Sequence, residues 1–148
     1  MSSWFFTILL SSVLILLIIV NIFVFLSGPA RKNEADDREL FRKVVDSYAL
    51  VDASFVNRHV HQRITYIAQL GLNKEKLIFY DEDGVVFLLI DTPDRPLTLN
   101  EMIDSGLVSE DNITYGYFEG PVFVIDDDKR LQYLNISGET VFFLRKGD

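Results

Sequence analysis

The stretch Ile64-Thr65-Tyr66-Ile67-Ala68-Gln69-Leu70, followed by the turn Gly71-Leu72-Asn73 and the run Lys76-Leu77-Ile78-Phe79-Tyr80, decides the fold. Ile64, Tyr66, Ala68 and Leu70 alternate with Thr65, Ile67 and Gln69, which is the period of a β-strand with two different faces. A second turn, Asp81-Glu82-Asp83-Gly84, leads into the apolar run Val85 to Ile90, and an earlier strand is read around Ser54 to His61. The segment is therefore expected to be an antiparallel meander.

Downstream the same pattern returns in Ile113 to Phe118, Pro121 to Ile125, Arg130 to Leu134 and Thr140 to Leu144, separated by Glu119-Gly120, Asp126-Asp127-Asp128 and Ser137-Gly138. The two halves read as imperfect copies. Ile64-Thr65-Tyr66-Ile67 through Lys76 to Gly84 echoes Pro121-Val122-Phe123-Val124 through Arg130 to Gly138, and Gly84 and Gly138 fall at corresponding turns.

Each meander follows a helical pattern. From about Glu34 to Val51, the residues Leu40, Phe41, Val44, Val45, Tyr48 and Val51 recur at three- and four-residue steps, with acidic residues in the expected first turn. Before the second meander, Thr98-Leu99-Asn100-Glu101 has the spacing of a capping box, and Leu97 and Met102 have that of a hydrophobic staple. That short helix should reach about Ser105 and stop at Gly106. A helix laid across one face of a small antiparallel sheet buries both apolar faces together. The expected class is α+β, with two tandem helix-plus-antiparallel-sheet units at 31–95 and 96–148.

Ahead of them, Trp4 to Leu26 form 23 consecutive positions without a charge. A helix of that length reaches about 34 Å, enough to cross a hydrocarbon core. Met1-Ser2-Ser3 carries no basic side chain, so the segment reads as an uncleaved single transmembrane anchor rather than a signal peptide. Residues 1–30 then form anchor and linker, and Ser27-Gly28-Pro29 is expected to end the helix. Orientation stays open at this point. Arg31, Lys32 and Arg38 follow the span and, by the positive-inside rule, favour a cytosolic globule.

The globule carries all the formal charge, 22 acidic against 14 basic side chains, which argues against a nucleic-acid partner and against simple attraction to anionic lipid. The absence of cysteine excludes disulfides, thiolate metal sites and cysteine catalysis.

Taken together, a single N-terminal span, an amphipathic helix reaching Ser47-Tyr48-Ala49-Leu50-Val51, the strand pair Ile64 to Ile67 and Lys76 to Tyr80, and a shorter copy containing Gly116-Tyr117-Phe118-Glu119-Gly120-Pro121-Val122-Phe123-Val124-Ile125 resemble the TseB-like (YpmB-like) envelope proteins of Gram-positive bacteria. The resemblance implies two cystatin-like, PepSY-related subdomains outside the cell membrane, beside a penicillin-binding protein that serves cell-wall synthesis.

No Ser-x-x-Lys, Gly-x-Ser-x-Gly, His-Glu-x-x-His or P-loop motif occurs, so no enzyme and no cofactor are expected. His59-Val60-His61 has the only metal-like spacing, and both rings share one face if the segment is a strand. Without a third ligand the pair reads as polar residues on an exposed strand face. The acidic turns at 81–84 and 126–128 lack the alternating oxygen spacing of a calcium loop and read as solvated hairpins. In Tyr115-Gly116-Tyr117-Phe118 the two tyrosines share one face, with Gly116 and Phe118 on the other, so Tyr115, Tyr117 and Phe118 are candidate partner-binding rings. Two functions follow: a membrane-anchored adaptor that binds another envelope protein, or a regulatory or inhibitory ectodomain acting on a peptidase or sensor kinase. A cytosol-facing adaptor is the further alternative.

Overall fold

The computed structural model describes residues 3–147, and within the first helix the side chains of 4, 8–21 and 32–47. The chain divides into two units, residues 1–39 and 40–148. Helix α1 (Ser3–Ser47) begins in the first of them. Its described apolar side chains from Ile8 to Val20 are each at least half exposed, from 50 % at Ile8 to 63 % at Leu16. The polar side chains within this stretch turn back on the helix: Ser12 Oγ donates to the carbonyls of Ile8 and Leu9, and Asn21 Nδ2 to that of Leu17 at 3.1 Å. Among the described residues, no helix is long and apolar enough to cross a membrane. Part of the expected span, the side chains of 5–7 and 22–26, lies outside them.

Two expectations about α1 are corrected. The helix does not end at Ser27-Gly28-Pro29 but continues through it. A proline removes one N–H from the ladder, and the turns that follow can resume the helical bonding. Glu34, Asp36, Asp37 and Glu39 consequently lie mid-helix rather than in a first turn, where Glu34 reaches Arg38 one turn on at 3.7 Å.

The second unit contains both meanders. Strands β1 (Ser54–Val60), β2 (Ile64–Leu70), β3 (Lys76–Tyr80) and β4 (Val86–Asp91) form one antiparallel sheet in chain order. Helix α2 (Leu97–Asp104) precedes β5 (Ile113–Tyr117), β6 (Pro121–Asp126), β7 (Arg130–Asn135) and β8 (Thr140–Arg145), a second sheet of the same order. The α+β class and both helix-plus-sheet units are as read from the sequence.

Register fixes the correspondence between the copies. Arg58 pairs with Tyr66, Tyr66 with Tyr80 and Tyr80 with Val86; in the second sheet Tyr115, Phe123, Leu134 and Thr140 take the same places. The ladder is bulged at Phe79/Tyr80 and again at Tyr133/Leu134. Gly84 and Gly138 both adopt left-handed backbone, φ +81° and +88°, and both face a helical segment. A Cβ on Gly84 would lie 3.1 Å from a Val44 methyl, and one on Gly138 would lie 2.9 Å from Pro96.

Val44, 1 % exposed, packs with Tyr66, Ala68, Ile78 and Tyr80 under Leu40 and Phe41, as the three- and four-residue spacing predicts. Leu99, Met102 and Ile103 cover Phe123, Ile125 and Leu134 in the second copy. The capping box does not form. Helix α2 starts two residues early, with Pro96 rather than Thr98 as its N-cap and no side-chain cap bond. The Pro96 carbonyl accepts from Leu99 and Asn100, while the Thr98 hydroxyl lies against Gly138 instead of its own helix. Leu97 is 80 % exposed and staples nothing.

Candidate functional site

The faces turned away from the helices carry the candidate site. Ile67, Leu77 and Phe79 of the first sheet pack with Phe87, Tyr115 and Tyr117. Val122, Val124 and Tyr133 of the second pack with Phe118, Leu131 and Phe142. Strands β1 and β5, equivalent edge strands, meet along this seam, and Asn57 Nδ2 donates across it to the Tyr115 carbonyl at 2.9 Å.

Strand alternation puts His59 and His61 on one side, as the sequence predicts, with their rings 7° from parallel and 6.5 Å apart. The reading of an exposed face is corrected for His59, which is only 6 % exposed. Room for it comes from Gly116. A Cβ there would lie 3.0 Å from His59 Nδ1 and 2.5 Å from a Val124 methyl, so no other residue permits this approach of the two strands. His59 also meets the edge of Tyr133 at 5.1 Å, and its Nε2 is buried with no hydrogen-bond partner. Burial, reinforced by the neighbouring His61, holds the His59 pKa below its ordinary value.

His61 sits among three rings, Phe118 at 4.9 Å, Phe142 at 5.0 Å and Tyr133 at 5.4 Å. Its Nδ1 lies 3.3 Å from the Tyr133 hydroxyl, whose pKa is raised by burial and by Asp126. No group of three or more His, Cys, Asp or Glu side chains able to hold a metal ion occurs among the described residues.

The three candidate partner rings are all engaged at the seam. Tyr115 packs on Phe123 at 5.5 Å, and burial raises its pKa against the opposing pull of Arg95. Tyr117 meets Phe79 at 6.0 Å and Phe87 at 5.2 Å, and Phe118 lies 5.9 Å from Tyr133. All three remain partly exposed.

Arg63, which the sequence reading passed over, completes the arrangement. Its guanidinium carbon stands 4.3 Å from the Phe87 ring centre and 4.9 Å from that of Tyr117, a cation over two aromatic faces. Beside it a cleft of about 360 Å³ is lined by His61, Gln62, Arg63, Tyr117, Phe118 and Glu119. These residues come from the β1–β2 turn, the end of β5 and the β5–β6 turn, so the internal repeat is the signal that would have marked the two turns as a pair.

The acidic turns have structural duties. Asp81 Oδ1 accepts from the backbone of Asp83 and Val85. Asp127 accepts from the backbone of Lys129 and Arg130 and from Arg130 Nε at 3.1 Å. Desolvation pushes the Asp127 pKa up, but these bonds outweigh it and leave the group below its ordinary value. Comparison with family models, with curated proteins and with solved structures finds no match to the chain.

Proposed function

We propose that this chain is a single-pass, membrane-anchored adaptor or regulator of cell-envelope synthesis that acts by binding rather than catalysis. Its C-terminal domain stands outside the cytoplasmic membrane, and its partner is another envelope protein. The resemblance to TseB-like proteins suggests a penicillin-binding protein, and cystatin-like, PepSY-related character for the two helix-plus-sheet copies.

One observation carries the anchor: the uncharged run Trp4 to Leu26 lies on helix α1, and every described large apolar side chain in it is at least half exposed. A contiguous apolar surface of that size calls for an apolar cover. The bonds of Ser12 and Asn21 to carbonyls of their own helix support a bilayer as that cover, since polar groups in hydrocarbon must be satisfied internally. Tethering would raise the effective concentration of a modest binding surface toward a partner in the same membrane.

Topology is tested by fusing alkaline phosphatase or a cytosol-fluorescent reporter to the C-terminus. An active phosphatase with a dark reporter is expected. The reverse result would give weight to Arg31 and Lys32 and overturn the extracytoplasmic assignment together with the envelope partner. A regulatory ectodomain is the second reading, favoured by the cleft beside Arg63.

A further inference from the structure

Two charged side chains line the cleft between the β1–β2 and β5–β6 turns, and neither is neutralised. None of the ion pairs among the described residues includes Arg63 or Glu119, although both border the same space of about 360 Å³. Arg63 is nevertheless held in place, because Phe87 and Tyr117 stack on its guanidinium from the two sheets. Immobilising a long cation has an entropic cost, and a planar fork held in advance is what bidentate carboxylate recognition uses.

Glu119 stands on a strained backbone, φ +56°, in a turn closed by Phe118 N–H to the Gly120 carbonyl at 2.8 Å. Ala49, Asp52 and Lys74 adopt the same left-handed backbone, so the conformation fixes where Glu119 stands without itself marking a site. Tyr117, Phe118 and His61 supply aromatic walls, and Gln62 a neutral amide. The volume falls within the range of about 300–1,000 Å³ typical of small-ligand sites.

We propose that this cleft binds an α-amino carboxylate, with the carboxylate on Arg63 and the adjacent N–H group toward Glu119. The same chemistry is offered by a free amino acid and by the C-terminal residue of a peptide. A phosphate dianion is disfavoured, since one arginine faces it and Glu119 repels it. The inference stands apart from the membrane reading, because it concerns only the second unit and is measured without a partner protein.

The test is saturation-transfer NMR on the full chain in detergent micelles, with alanine, N-acetylalanine and alaninamide as probes. Alanine or N-acetylalanine should bind saturably, and alaninamide, which lacks the carboxylate, at least about tenfold more weakly. Whichever of the first two binds tighter identifies the source, a free amino acid or a peptide C-terminus. Arg63→Gln should abolish binding, and Arg63→Lys, which keeps charge but loses the fork, should weaken it about fivefold or more. Glu119→Gln, at an exposed turn, should leave N-acetylalanine bound and lower the preference for alanine. Equal binding of alaninamide, binding that survives Arg63→Gln, or no saturable carboxylate binding below about 20 mM overturns the proposal.

Discussion

His59 shows how a single position can escape a sequence reading. Its strand and its facing were legible from the alternation of β1, but its burial was not, because burial depends on Gly116 in the equivalent strand of the other copy. Nothing local to His59-Val60-His61 announces that neighbour. The consequence is a pH dependence with a definite sign. The folded-state pKa of His59 lies below its ordinary 6.5, so the unfolded chain binds more protons between the two values and stability falls as the pH drops through that window. The groups around it are Arg58, His61, Tyr133 and Asp126. Asp127 acts in a separate range. Its pKa is depressed from 3.8, so its contribution is complete above that value and is lost as the pH falls through the folded pKa. Urea midpoints should therefore decline from about pH 7 downward in the wild type, and His59→Phe should flatten the upper part of that decline. An unchanged slope in the variant would remove His59 as its cause.

Elements were read with uneven success, and the reasons are physical. All eight strands were legible because period-two alternation and turn residues are local signals, and the matching bulges and glycines then follow from the repeat. Helix ends were not. The capping-box pattern at Thr98 competes with Pro96, whose fixed φ and free carbonyl start the helix two residues sooner. At the end of α1, the Val51 expected on the helical face falls outside it, because Ala49 turns left-handed at φ +49°. Leu50 N–H then reaches back to the Val45 carbonyl at 3.0 Å, a closure that helices usually make with glycine at the turning residue. Ala49→Gly should relieve that strain and stabilise the protein by about 0.5–1 kcal/mol, net of the added freedom of the unfolded chain. A fall in the chemical-denaturation midpoint would contradict this account of the helix end.

Across residues 40–148, each sheet has one face on its helix, and the copies meet through a few rings, Tyr117 on Phe79 and Phe87, and His59 and His61 on Tyr133, Phe118 and Phe142. Nothing in the sequence locates the seam. Tyr115, Tyr117 and Phe118 were legible as a special cluster, yet whether they face a partner or the other copy depends on long-range placement that alternation does not encode. Arg63 and Glu119 were invisible for the same reason, lying at turns that only the folded repeat brings to one cleft. If the seam joins the copies into one cooperative body, a wedge inside it must weaken both. Gly116→Val would drive a side chain into the space where a Cβ alone comes within 2.5 Å of Val124 and 3.0 Å of His59. Overpacking of this kind typically costs about 1–3 kcal/mol. Hydrogen exchange should then accelerate in β2 and β3, far along the chain from the substitution, to the same degree as in β6 and β7. Acceleration confined to β5–β8 would mean that the two copies unfold independently and that the seam contributes nothing to their shared stability.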